Sequence, residues 1–462
     1  MNINKTNKGF FWIPSEPNNQ KNGSLNFLDE TAYVNIFDSF DIDPSNIKTK
    51  NRTEFCSIYG ILDNGRCCVL HKCQLSLAGI LGGVISTNIK FEYIIYSSNR
   101  DLINKKKEFS KIEFKLSNLF HWSGKNSIKS FNNEDNTRGL VCGSTYNEDV
   151  IFSNDSFELK LNHAPPALPL NTNKKNILIE QDTSLILTLK LDEEIFKSFE
   201  FIEKIQDLFI LFHADKIDIN NTYKLTSVDN EEYFFCYSNR IRFRGANGCP
   251  SYEYSNLFTL IELKEFVDIN VLFSSWFKMY ETLNYPIDLI SKCLSDINMN
   301  KQHKFMNLMY GLEYILSKNI NNEIAKTYYS KKDSEIIDEI ESVITGNSLI
   351  NVSNFLQKLR TRLEKNRKLH EKFKAFFIQL NIPVSELFNE TTEIFVDKVV
   401  NTRNHFAHVN EKEPRVRIDE LHLYNIKLEA ILLSIFYLKL GLPLDKIKLK
   451  IRMYDRFEEV IK

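Results

Sequence analysis

At 462 residues the chain exceeds one ordinary hydrophobic core, so two or three domains are expected. Hydrophobic residues at 43% and charged residues at 26% exclude a disordered or fibrous chain and fit a globular protein. A formal net charge of −1 excludes a global cationic surface, so any nucleic-acid site must come from a local patch. The stretch 1–9 is polar, and Phe10-Phe11-Trp12 is too short for the apolar core of a signal peptide. No uninterrupted apolar run reaches the roughly 18 residues of a membrane span. Eight cysteines lack any C-x-x-C pair, which reads as a cytoplasmic protein with reduced thiols and no membrane partner.

Up to about residue 258, short apolar and aromatic runs alternate with polar turns. Phe55-Cys56-Ser57-Ile58-Tyr59, Phe91 to Tyr96, Ile112 to Leu116 and Leu185 to Leu189 are rich in β-branched or aromatic residues, several with period two. Turn signals fall between them at Leu62-Asp63-Asn64-Gly65, at 132–136 and at Asp229-Asn230. The pattern predicts an all-β region of sandwich type. Pro165, Pro166 and Pro169, followed by a polar stretch, suggest a seam. The expected domains are therefore 1–170, β-rich; 171–258, a second β-rich segment packed on the first; and 259–462, all-α. Within the second segment, Glu194 to Phe212 is apolar at helical spacing and predicts a helix on the sheet. Tyr233 to Phe243 predicts the closing strand.

After about Leu260 the apolar period becomes three to four. Helices are expected over Phe266–Leu283, Ile287–Ile297, Phe305–Ser317, Glu335–Ile344, Val352–Leu380, Thr392–His408 and Ile418–Leu438. Asn389 or Thr391 can cap the Thr392–His408 helix, with Glu390 and Glu393 where the helix dipole favours acids. Pro383 fits the start of a short helix, and Pro414 falls just past His408. The fold class is thus α+β and multidomain, a β-sandwich-like N-terminal region followed by an all-α bundle.

The most informative stretch is Arg403-Asn404-His405-Phe406-Ala407-His408. A cation that stabilises charge on a phosphate and a base near neutrality that moves a 2′-hydroxyl proton suffice to cleave RNA without a metal. Asn404 and His408, four apart, share a helix face. Arg403 and His408 lie roughly 140° apart around the axis and about 7.5 Å along it. One motif makes a sparse site, and two facing across a two-fold axis would make a denser one. With 15 arginines and 9 histidines, a bare Arg-x4-His pattern arises about 0.3 times by chance, so context must carry the reading. His⁺ at a helix C-terminus is also ordinary capping chemistry. The preceding helical stretch carries Arg360, Arg362, Lys365, Arg367 and Lys368, a strip that could hold a phosphate backbone or simply be a solvated face.

The C-terminal region resembles the HEPN superfamily of helical ribonucleases, whose signature is Arg, a polar residue, a short gap and His. Arg403, Asn404 and His408 match it residue by residue. Phe305 to Tyr314 is similar to the early HEPN helix that carries a Glu beside the site, here Glu313. Gly9-Phe10-Phe11-Trp12-Ile13-Pro14 and Gly23-Ser24-Leu25 are similar to the N-terminal domain of ApeA-type anti-phage proteins. The resemblance implies metal-free RNA cleavage to a 2′,3′-cyclic phosphate and a 5′-hydroxyl, with no cofactor. It also implies a homodimer or higher homo-oligomer through the helical domain. His408 would take or return a proton, Arg403 would hold the scissile phosphate, and Asn404 would orient either. Glu313 would hold Arg403 or the dimer arrangement, and His405 is a supporting candidate. The substrate would be tRNA or another cellular RNA, cut to arrest growth when a phage-derived trigger is sensed.

Arg240, Arg242 and Arg244 alternate and would form a cationic stripe on a strand, a sensor or RNA surface, or else a solubilising edge. Cys56, Cys67, Cys68, Cys73 and His71 lack zinc-knuckle spacing and read as buried thiols on paired strands, so no metal site is assigned. His121 and His163 have no partner spacing, and Gly79 to Gly83 lacks the lysine of a phosphate loop. Two other readings compete: a non-catalytic HEPN-like scaffold binding RNA, nucleotide or a partner, and a carbohydrate-binding β-sandwich with a helical dimerisation tail.

Overall fold

The computed structural model describes residues 6–28, 31–37, 40, 53–81, 84–104, 109–124, 128–132, 138–142, 147–163, 183–190, 195–217, 219, 223–229, 232–238, 259–319, 369–380, 382, 384–408 and 414–461. The chain divides into two compact units, 1–213 with 217–274, and 214–216 with 275–462.

The first unit is built on one 13-stranded sheet. Its first strands are β1 (Thr6–Trp12), β2 (Lys21–Leu28), β3 (Thr31–Ile36), β4 (Thr53–Leu62), β5 (Cys67–Leu81), β6 (Val84–Lys90) and β7 (Tyr93–Ser97). Hairpin pairing joins β1 to β2, β2 to β3 and β4 to β5, while β1 also pairs with β4 and β3 with β6. Because β6 returns to β5, strands β5-β4-β1-β2-β3-β6 close into a six-stranded barrel. The predicted Leu62-Asp63-Asn64-Gly65 turn links β4 to β5, with Gly65 at φ +77° and its N–H donating to the Leu62 carbonyl at 2.9 Å.

β5 is the branch point of the sheet. Gln74 pairs with Lys90 of β6, whereas His71 pairs with Tyr93 of β7, so one long strand serves the barrel at one end and the open sheet at the other. Lys72 lies at the junction at φ +52°, its ammonium 3.2 Å from Glu92. Barrel closure buries alternate residues inward. Phe11, Val34, Ile36, Ile58, Cys68, Leu70 and Ile89 are wholly enclosed.

The open part continues through β8 (Phe109–Phe114), β11 (Asn147–Ser153), β12 (Phe157–His163), β13 (Thr183–Leu189), β14 (Tyr223–Ser227) and β15 (Glu232–Ser238), with β9 (Ile128–Asn132) and β10 (Arg138–Cys142) forming a separate hairpin. Two short helices, α1 (Asp101–Asn104) and α2 (Leu119–Ser123), precede the long α3 (Ile195–His213). As the spacing predicts, α3 lies on the sheet. Phe199 stacks on Tyr93 of β7 at 4.9 Å, Phe201 meets Phe157 of β12 at 4.5 Å, and Phe209 meets Trp122 of α2 at 4.7 Å.

The second unit is helical: α4 (Ile269–Ser295, whose first turns belong to the first unit), α5 (Lys301–Asn319), α6 (Leu369–Gln379), α7 (Val384–Phe388), α8 (Thr392–His408), α9 (Leu421–Lys439), α10 (Leu444–Met453) and α11 (Glu458–Ile461). The two helices expected over 266–297 are both present and are labelled together as α4; they meet at a kink at Leu283 (φ −122°, ψ +23°), three residues before Pro286, whose ring cannot fit an unbroken helix. α8 spans the residues expected, with Thr391 Oγ1 accepting the Ile394 N–H at 3.3 Å as its cap. Asn389, the other cap candidate, sits at φ +52° just past α7. α10 was not expected; Gly441 at φ +90° and Pro443 set its start. α9 alone among the described helices has the length and composition to cross a membrane, yet 72% of that window is buried inside the protein.

The class expectation therefore holds: a β-rich region followed by a helical region, α+β overall, with the strands closing a barrel that extends into an open sheet. The expected helix over 335–344, the basic strip Arg360, Arg362, Lys365, Arg367 and Lys368, the arginines at 240, 242 and 244, and the 164–175 seam lie outside the described residues.

Candidate active site

The motif helix α8 turns Phe395, Val396, Val399, Val400 and Thr402 into the core of the helical unit. That buried face fixes which residues can emerge on the other side. Phe406, one turn beyond Thr402, sets its ring edge-to-face on Phe305 of α5 at 6.0 Å and fastens the last turn of α8 to that helix. Thr402 Oγ1 also accepts the Val416 N–H at 2.9 Å, drawing the chain beyond the motif back onto the helix.

With α8 held this way, Arg403 meets Glu313 of α5. Nε donates to Oε1 at 2.6 Å and Nη2 to Oε2 at 3.0 Å, a forked pair between side chains 18% and 22% exposed. Nη1 donates to Asn404 Oδ1 at 3.3 Å. A guanidinium has five N–H donors. Among the described residues three are engaged, which leaves one on each Nη for an anion. Asn404 spends its oxygen on Arg403, which leaves its amide N–H₂ as a further donor. Tyr310, one turn before Glu313, places its ring centroid 5.9 Å from the Arg403 Cζ.

His408 lies exposed in the last turn of α8. His405 sits half-buried with its ring 5.5 Å from that of Phe406, tied to the packing of the helix end. The structure thus brings Arg403, Asn404 and Glu313 together, places His408 on the same helix end, and adds Tyr310. The signal for Tyr310 was its position three residues before Glu313, one turn along the same helix face.

Two charged clusters brace this scaffold. Glu390, just before α8, accepts from Lys398 (2.8 Å), Lys427 (2.8 Å) and the Tyr424 hydroxyl (2.9 Å). Burial opposes ionisation of Glu390, but the hydrogen bonds from Lys398 and Lys427 outweigh it and hold the carboxyl below its ordinary range. Burial first, and the Glu390 hydrogen bond with it, push Tyr424 up to about 12. Glu429 of α9, fully buried, faces Lys304 Nζ at 2.6 Å and Arg456 Nε at 2.9 Å.

In the first unit, Cys67, Cys68 and Cys73 of β5 are buried thiols, as their place on paired strands predicts, and burial drives Cys68 far above the ordinary thiol range. His71 Nδ1 lies 3.1 Å from Ser57 Oγ, and His163 Nδ1 3.4 Å from Thr183 Oγ1. No group of three or more His, Cys, Asp or Glu side chains converges as metal ligands among the described residues. The side chains of Cys56 and His121 lie outside them.

Comparison with known proteins gives two family matches. Residues 6–271 match ApeA N-terminal domain 1, and residues 306–446 match Apea-like HEPN. No curated protein and no solved structure matches the chain at a significant level. The first match covers the barrel and the open sheet; the second covers Tyr310, Glu313, Arg403, Asn404 and His408. The barrel-bearing unit and the arginine-bearing helix each fall under one of these two models, and the chain belongs to the ApeA family, an ApeA N-terminal domain followed by a HEPN domain of the nuclease type associated with anti-phage defence.

Proposed function

We propose that the protein is a metal-independent endoribonuclease whose cleavage of cellular RNA arrests growth during phage infection, with the β-rich unit as sensor or regulator. One observation carries this reading: Arg403 of the Arg-Asn-x3-His motif is held through Nε and Nη2 by Glu313 and through Nη1 by Asn404, so its remaining Nη hydrogens are preset to meet an anion. Preorganised donors aimed at a developing phosphate charge are the largest single contribution in reactions of this kind.

The chemistry then follows from the groups at hand. The ribose 2′-oxygen attacks the adjacent phosphorus, the P–O5′ bond breaks, and the products are a 2′,3′-cyclic phosphate and a 5′-hydroxyl. His408 takes the 2′-hydroxyl proton or returns one to the leaving 5′-oxygen. Arg403 offsets charge on the non-bridging oxygens, and the Asn404 amide donates to one of them. Each motif supplies one exposed imidazole, so a second copy of the motif helix, related by a two-fold axis, would provide the other proton carrier.

The test uses the purified full-length protein and a labelled RNA. Arg403→Ala and His408→Ala should each abolish cleavage, EDTA should not, and the products should carry 2′,3′-cyclic phosphate ends. Cleavage by the His408→Ala protein at the wild-type rate, or its loss in EDTA, would sink the mechanism. Overexpression should arrest growth in the wild type and not in His408→Ala.

A further inference from the structure

Next to Arg403, three tyrosines stand partly or fully out of the helical core. Tyr310 is 37% exposed and Tyr285 46%, while Tyr314 is half-buried. Their placement follows from two helices. Tyr310 and Tyr314, four apart on α5, share a face about 6 Å apart along the axis. Tyr285 lies between the Leu283 kink and Pro286 of α4, and Pro286 packs close to Gly311 of α5, where a Cβ would lie 3.6 Å from the proline Cβ. That close approach sets the Tyr285 ring 5.4 Å from that of Tyr314 at 54°.

Cations stand beside the two tyrosines of α5. The Arg403 guanidinium is 5.9 Å from the Tyr310 centroid, and the Lys318 ammonium is 5.5 Å from that of Tyr314. Glu313, the acid between them, is neutralised by its fork with Arg403. Exposed rings interleaved with cations and leading to a phosphate-binding arginine suit a strand whose bases are unstacked and whose backbone is anionic. Tyrosine and arginine also serve interfaces between protein copies, and the oligomeric mass of the variants tells the two apart. A base-paired helix, for its part, keeps its bases stacked out of reach.

We propose that Tyr310, Tyr314 and Tyr285 form a base-stacking platform that selects single-stranded RNA and feeds it to Arg403. The proposal rests on the ribonuclease reading and names residues that position its substrate. Unpaired bases stack on the tyrosines, Lys318 and Arg403 hold the phosphates on either side, and the nucleotide at Arg403 is the one cut. Duplex RNA is excluded, so the protein cuts loops and unpaired ends.

The experiment uses full-length protein carrying His408→Ala, which should bind without cutting, and fluorescence anisotropy with three probes: a single-stranded RNA, the same RNA with abasic sites, and an RNA duplex. Tyr310→Ala and Tyr314→Ala should each weaken single-stranded binding by about 5- to 150-fold, Tyr310→Phe should retain it, and neither Ala variant should further weaken the abasic probe. Tyr285→Ala, at the most exposed position, serves if either of the others fails to fold. The platform is overturned by unchanged single-strand affinity in the Ala variants, by an equal loss on the abasic probe, by duplex binding as tight as single-strand binding, or by no single-strand binding at all. A fall in oligomeric mass in the Tyr variants with RNA affinity unchanged overturns it in favour of an interface between copies. Failure of the ribonuclease reading is distinct: it shows as wild-type protein that leaves labelled RNA intact, whatever the Tyr variants do to binding.

Discussion

Replacing Glu313 by Gln is the sharpest probe of how the arginine is held. The carboxylate makes two charge-assisted bonds to Arg403, at 2.6 and 3.0 Å. Glutamine keeps one acceptor oxygen and turns an N–H₂ towards a guanidinium N–H, so one bond is lost and the charge that holds the fork is removed. A charge-assisted bond is worth about 1.5–3 kcal/mol. If that energy sets the arginine for the transition state, kcat falls by about 10- to 100-fold at 1.4 kcal/mol per tenfold. KM should stay level or fall, because Glu313 also competes with phosphate for the same cation. The assay is steady-state cleavage of a fluorogenic RNA with kcat and KM resolved separately, alongside a melting curve to show that the fold survives. Glu313→Asp, with the charge one methylene shorter, should recover part of the loss. A kcat equal to wild type, or a raised KM with kcat unchanged, would refute Glu313 as a positioning residue.

Three further outcomes concern the scaffold. Glu429→Gln leaves Lys304 and Arg456 facing an uncharged buried group and should destabilise the helical unit by about 3–5 kcal/mol, lowering its melting temperature by about 6–20 °C in calorimetry. Glu390 has a folded pKa below its unfolded value of about 4.3. Its contribution is therefore present above that value and lost as pH falls through the folded one. Urea melts from pH 7 to pH 3 should show the loss, and Glu390→Gln should flatten it. Gly60→Ala would set a Cβ 2.7 Å from Phe11 Cδ1 and 2.8 Å from Cys68 Sγ, overpacking the barrel by about 1–3 kcal/mol, which a shift in the urea midpoint would report.

What the sequence disclosed followed the range of the interactions. α8 was legible residue by residue because its cap, its acids and its apolar period are all local: Thr391, Glu393 and the Phe395-Val399 spacing lie within two turns. The α3 helix was legible for the same reason, as was the Gly65 turn. Barrel closure was not, because the pairings that make it, β1 with β4 and β3 with β6, join strands tens of residues apart and leave no local mark. The break inside α4 was legible too, because Pro286 marks it locally. Of the site, Arg403, Asn404 and His408 could be read as a string. The Glu313 fork spans 90 residues and was suggested only by a family resemblance, while Tyr310 gains meaning only when α5 is seen beside α8.

The bond from Val416 to Thr402 has a consequence in chain statistics. It turns residues 402–416 into a closed loop with His408 inside it, and closing a loop of that length costs on the order of 2 kcal/mol of chain entropy. Thr402 is wholly buried, so the knot is tied where water cannot compete for it. The backbone that carries the imidazole is therefore anchored at two described points, by α8 before it and by the Val416 bond after it. Loosening the far end, fourteen residues from Thr402, would enlarge the volume that His408 explores without altering a single atom of the motif.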